Sequence, residues 1–144
     1  MNQQHAEGTF EVVSFTPVEV TPATDVTTAM HTGVAVMEKR YSGAVAGRSA
    51  TLFTSAMDLG SGAGSYVAME SFAGSLNGAS GSFNFVHAAS THGEDRYAES
   101  FSVVAASGTA DLATIAGGGG MTVDADGTHR VWFDYTLMVE GGAT

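Results

Sequence analysis

Tyr66-Val-Ala-Met-Glu-Ser-Phe-Ala-Gly-Ser-Leu-Asn-Gly-Ala-Ser-Gly-Ser-Phe-Asn-Phe-Val-His-Ala-Ala89 decides the fold. It reads as two strands joined by a tight turn, because Asn77-Gly78 tolerates the positive φ that a hairpin demands. Ala79-Ser80-Gly81 lengthens the loop. A turn centred near Gly78-Ala79 therefore sets Phe72 opposite Phe85 and Glu70 opposite His87. Directly opposed residues share a face of a sheet. One face then carries Ala68, Glu70, Phe72, Gly74 and Leu76 with Phe83, Phe85, His87 and Ala89. The phenylalanines mark it as the core face, so a carboxylate and an imidazole lie side by side in the interior. A one-residue slip would undo this arrangement.

Outward from the hairpin, the chain keeps the same period. Ala6–Phe15 alternates and predicts a first strand. Thr16–Asp25 holds both prolines, Pro17 and Pro22, and is expected as an irregular connection. Val26–Tyr41 is a long Val/Thr/Ala run, and Ser49–Met57 a further strand before the flexible loop Asp58–Gly64. Ser90–Arg96 is a polar loop leading to Tyr97–Ala105. Ser107–Gly120 is small and glycine-rich, anchored by Leu112 and Ile115. Asp124-Ala-Asp-Gly127 is a turn. The last strand, His129–Val139, sets Val131, Phe133, Tyr135 and Leu137 on one face, with Trp132 beside Arg130 and Asp134 on the other. No segment carries a helical period with caps. The expectation is all-β: one antiparallel barrel of about eight strands over residues 1–144, with an interior filled by side chains or wide enough for one small ligand.

Composition narrows the function. The chain has no cysteine, and five Lys and Arg stand against fifteen Asp and Glu for a net charge of −10. That balance argues against nucleic acid, which needs clustered cations, and equally against an anionic membrane surface. No basic or apolar leader pattern is visible at the start, and no apolar run is long enough to cross a bilayer. The expected setting is the cytoplasm.

The central hairpin also resembles a bacterial family catalogued as a domain of unknown function. Its members carry a Glu (here Glu70), then Gly-x-Leu-x-Gly-x-x-Gly-x-Phe (Gly74 to Phe83), then a His (His87). Ser107-Gly-Thr-Ala-Asp-Leu112 is similar to that family's Gly-Ser-Gly-Thr-Gly-x-Leu, and Gly8–Val12, Tyr41–Gly43 and Tyr135–Leu137 also fit. Ala106 and Ala110 depart from the pattern, standing where the family often has glycine. The resemblance implies a fold like allene oxide cyclase, a small antiparallel barrel. Its barrel relatives include cyclases and dirigent proteins, and it implies no particular activity.

The chemistry-bearing candidates centre on Glu70 and His87. If the Ser90–Arg96 loop centres on Gly93, Glu99 falls opposite His87, so that three titratable groups stand abreast on neighbouring strands. Burial raises a carboxyl pKa and lowers an imidazole's, while pairing acts the other way, so the cluster suits proton transfer. The competing reading is a buried ion pair that fixes register. Phe72, Phe83, Phe85, Tyr97, Phe101, Phe133 and Tyr135 are candidates to line an apolar pocket around it, against plain core packing. His87, His92, Glu94 and Asp95 lack metal-ligand spacing, and Gly60, Gly62 and Gly64 do not form a nucleotide fingerprint. Neither a metal nor a cofactor is expected. His5, His31 and His129 show no partners. Trp132 is expected outward, where it suits a subunit interface. The resemblance implies a possible dimer or trimer, since barrel relatives often associate.

Two functions follow. The first is a cofactor-free isomerase or cyclase acting on a small apolar molecule inside the barrel, with Glu70 and His87 moving the proton and Glu99 tuning them. The second is a barrel that binds a small hydrophobic ligand without turning it over.

Overall fold

The computed structural model describes residues 2–138. They form eight strands: β1 (Gln3–Val18), β2 (Thr32–Gly43), β3 (Val45–Met57), β4 (Gly64–Leu76), β5 (Ala79–Thr91), β6 (Tyr97–Val103), β7 (Ala116–Val123) and β8 (His129–Thr136). Each pairs antiparallel with the next, and β8 pairs with β1, closing a barrel in sequence order. Closure removes most of the sheet edges, which a chain with one lysine could hardly protect. One 3₁₀ turn, Ala110–Leu112, links β6 to β7. Among the described residues no helix is long and apolar enough to cross a membrane, a statement that does not bear on strands.

Period-two alternation sorts each strand into an inner and an outer row. Phe72, Phe83, Phe85, Phe133 and Tyr135 all point inward and are buried. Phe133 meets Phe83 and Phe85 edge-on, with centroids 5.4 and 5.2 Å apart, the arrangement aromatic quadrupoles favour. Leu112 and Ile115 close this end of the barrel from the β6–β7 connection. It packs so tightly that a Cβ on Gly81 would lie 2.3 Å from the Thr109 carbonyl oxygen.

The hairpin register differs from expectation by two residues. Asn77 and Gly78, with φ of 49° and 86°, form the whole turn, because both central positions of a two-residue hairpin of this kind need positive φ. Leu76 then pairs with Ala79, Phe72 with Phe83, and Glu70 with Phe85, while His87 faces Ala68. A two-residue shift preserves every face, so the inward set is as expected and only its height along the barrel changes. At the second hairpin His87 faces Phe101, not Glu99. There the ladder shifts register between Ala88 and Ser90, close to Ala98 at φ 53°. This bulge turns Glu99 out of the interior row.

Three more expectations change. β1 runs through Pro17 to Val18; beyond Phe10 it pairs with β2 alone, leaving an edge where proline is tolerated. β2 starts at Thr32, so Val26 and its neighbours belong to the β1–β2 connection. The glycine-rich stretch ends in a strand, β7. Its glycines are occupied by neighbours: the Trp132 ring lies where a Cβ on Gly120 would be, 2.3 Å from Cζ2, and Phe101 stands 3.1 Å from the equivalent point on Gly119. Trp132 thus lies half-buried on the outer face of β7. The end of the expected last strand, at Val139, lies outside the described residues.

Candidate functional site

Above the phenylalanine layer the inward rows turn polar. β2 contributes Lys39 and Tyr41, β3 contributes Ser49, β4 Glu70 and β5 His87, all buried. Glu70 is fully buried, and four donors surround its carboxylate. Tyr41 Oη and Ser49 Oγ donate to Oε1 at 2.5 and 2.7 Å. Lys39 Nζ and His87 Nε2 donate to Oε2 at 2.7 and 2.6 Å. The Glu70–His87 contact is diagonal across β4 and β5, within reach of long side chains.

These contacts determine protonation. Burial would raise the Glu70 carboxyl, but the His87 hydrogen bond and the Lys39 ammonium outweigh it and hold the group at about 2. An ionised carboxylate only accepts, so His87 Nε2 carries a proton. Burial pushes the His87 pKa down, against the opposing pull of Glu70. The imidazole is therefore neutral and its Nδ1 is an acceptor. Tyr66 Oη lies 2.9 Å from that nitrogen and donates to it. Arg96 Nη2 donates in turn to Tyr66 Oη at 2.8 Å, and Arg96 also bonds Glu99. Burial raises the Tyr66 phenol, with Arg96 opposing. Tyr41 is driven well above the ordinary phenol range, first by burial and then by the Glu70 charge.

A cavity of about 240 Å³ opens over this network, at the barrel end formed by the β1–β2, β3–β4, β5–β6 and β7–β8 connections. Phe10, Met37, Phe53 and Met121 supply apolar wall, while Lys39, Tyr66, His87, Arg96 and His129 supply the polar groups. Tyr66 stacks on Phe53 with centroids 5.2 Å apart. The Lys39 ammonium lies 4.8 Å from the Phe10 ring centre. Glu70 does not reach the cavity; it stands behind Lys39 and His87. Thr51, paired with both Met37 and Glu70, holds the one buried side-chain oxygen without a partner among the described residues.

The expected residues are thus divided. Glu70 and His87 are in contact, though diagonally rather than directly opposed as expected. Glu99 is separated from them: its side chain is 49% exposed and reaches the network only through Arg96. Tyr97 does not line the cavity; it is 43% exposed and stacks on His92 at 4.5 Å. Phe72, Phe83, Phe85, Phe133 and Tyr135 fill the closed half as core, because the rung on which they stand lies below the cavity. Phe101 is half-buried, stacked on Phe85 and His87. His5, expected without partners, bonds Asp134 and Glu7, and His129 stacks on Phe10. Among the described residues no group of three His, Asp or Glu side chains is placed to hold a metal ion.

Lys39, Tyr41, Ser49, Tyr66 and Arg96 were not foreseen. Two of them left a signal. Lys39 is the chain's single lysine, set among Ala35, Met37 and Tyr41 on one alternating face. Tyr66 shares the parity of Glu70, four residues earlier on the same strand.

A family model described as "Protein of unknown function (DUF3224)" matches residues 6–135. Among solved structures, the chain is similar to a DUF3224-family protein of unknown function from Shewanella oneidensis MR-1. The two share 25% identity with a TM-score of 0.81, over 96% of this chain and 100% of that one. No curated protein matches.

Proposed function

The chain belongs to the DUF3224 family, and from that premise, which supplies a barrel but no assigned reaction, we propose that its cavity is the site of a cofactor-independent isomerase or cyclase for a small, largely apolar molecule. One observation carries the reading. Both nitrogens of buried His87 are committed, Nε2 to Glu70 and Nδ1 to cavity-lining Tyr66. The group presented to a ligand is therefore the Tyr66 phenol, backed by a Glu–His pair. A C–H proton of the substrate passes to Tyr66 Oη as the phenol's own proton passes to His87 Nδ1. Glu70 stabilises the imidazolium, and Arg96 stabilises charge on the phenol oxygen. Return of the proton at a second carbon completes an isomerisation. Glu70 and His87 keep their place in the chemistry, but as positioning groups behind Tyr66. The cavity is smaller than the roughly 300–1,000 Å³ of drug-sized sites, so the substrate is small.

The test follows hydrogen exchange in D₂O by NMR across a panel of small apolar carbonyl compounds. The wild-type protein should exchange an activated C–H of a bound member, and Tyr66→Phe should slow exchange by roughly 10²–10⁴-fold while keeping the ring stack and the binding. Equal rates in the two proteins would remove Tyr66 from the chemistry. Binding without exchange in the wild type would favour a non-catalytic ligand carrier, a reading that rests on the complete internal satisfaction of the Glu70 carboxylate.

A further inference from the structure

Lys39 is 4% exposed, yet its ammonium has three protons to donate. Among the described residues its one hydrogen-bond acceptor is Glu70. It lies over the Phe10 ring, and it lines the cavity. A buried ammonium with unspent donors facing a cavity is costly unless something oxygen-bearing meets it.

Charge balance selects the kind of oxygen. Glu70 already cancels Lys39 at 2.7 Å, and Glu99 pairs with Arg96 at the mouth. His87 is neutral. A ligand carboxylate would thus add an uncompensated negative charge beside buried Glu70, whereas a neutral carbonyl would accept a hydrogen bond and add none. Resting on the reading above, we infer that Lys39 is the oxygen subsite of the cavity and that the ligand class is a small apolar ketone or enone. Its carbonyl oxygen accepts from Lys39 Nζ, and the carbon beside it faces Tyr66. When Tyr66 removes the adjacent proton, the electron pair moves onto the carbonyl oxygen, where the ammonium stabilises it in a water-poor site.

Three probes of matched skeleton test this: cyclohexanone labelled with ¹³C at the carbonyl, cyclohexanecarboxylate and methylcyclohexane. Affinities are measured by NMR titration on the full chain, with His87 and Tyr66 ring signals as reporters. Cyclohexanone should bind about tenfold more tightly than either other probe, and its carbonyl carbon should move downfield on binding. Lys39→Met should erase the preference and the shift while methylcyclohexane still binds. The downfield shift in the wild-type protein stands as a separate readout should that variant fail to fold. Carboxylate binding most tightly, or all three binding equally with no carbonyl shift, would overturn the carbonyl subsite and leave the cavity reading standing. Failure of every probe to bind or to move His87 and Tyr66 would overturn the cavity reading and this inference with it.

Discussion

The two ends of the barrel are made by the same strands under the same alternation, and they do opposite things. Toward the β4–β5 turn the inward rows are Phe72, Leu76, Phe83, Phe133 and Tyr135, with Leu112 and Ile115 inserted from the β6–β7 connection. Toward the other end, one or two rungs on, the same rows read Lys39, Glu70, Tyr66 and His87, under an open cavity. The closed end spends its side chains on each other. The open end keeps large apolar groups at the walls and leaves its middle to a hydrogen-bond network. Between them Glu70 forms a floor: it belongs to the core by burial and to the site by charge. A barrel of this size is filled or hollow according to the side chains of a single layer.

The largest effect expected from breaking this division lies at the closed end. Phe133→Ala should cost roughly 3–5 kcal/mol in urea unfolding, since its ring sits among three aromatic neighbours with nothing able to collapse into the void. At the floor, Glu70→Gln should cost a comparable or slightly smaller amount, about 3 kcal/mol at neutral pH, by leaving Lys39 buried without its counter-charge. The same substitution should change the acid limb. Folded Glu70 titrates at about 2 against an ordinary 4.5, so its stabilisation is complete above pH 4.5 and is lost as pH falls toward 2. His87 acts in the same direction. Its pKa is lowered from 6.5, so the unfolded chain takes up a proton that the folded chain resists, and stability begins to fall as pH drops through 6.5. Unfolding curves at stepped pH should show the loss below pH 6.5 in both proteins and the loss toward pH 2 in the wild type alone.

Smaller effects sharpen the boundary of each end. Ala106 and Ala110 have φ of 65° and 50°, a left-handed backbone that costs an L-residue roughly 1–2 kcal/mol. These are the two positions where the resemblance expects glycine. Ala106→Gly should therefore raise stability by up to about 1 kcal/mol by thermal unfolding, net of glycine's greater freedom in the unfolded chain. Glu99→Gln is the smallest change. An exposed ion pair with Arg96 should be worth under about 0.5 kcal/mol, whereas a Glu99 buried beside His87 would have cost several times that.

Much of this was legible in the chain. Seven of the eight strands show their alternation, and the inward set of the central hairpin is right to the residue. β7 was hidden because four successive glycines, Gly117–Gly120, carry no pattern; their meaning appears only when Trp132 and Phe101 are seen lying on them. Glu99 and Tyr97 were misplaced by the shifted ladder near Ala98, since a bulge breaks the period that face assignments rely on. Lys39 escaped notice because a lysine in an alternating run reads as solvated, and only its burial beside Glu70 shows otherwise.

What the residues dictate locally is parity: side chains alternate across a strand with period two, so Glu70 and Phe72 share one face of β4, and Phe83, Phe85 and His87 share one face of β5. What folding adds is height and closure. The turn at Asn77-Gly78 sets how far β4 and β5 slide past each other. Closing the barrel then brings Lys39 and Tyr41 from β2, and Ser49 from β3, onto one carboxylate. Ser49 is separated from Glu70 by one hairpin's worth of chain, and Lys39 and Tyr41 by two. No local period can reach that far; only the closed sheet can.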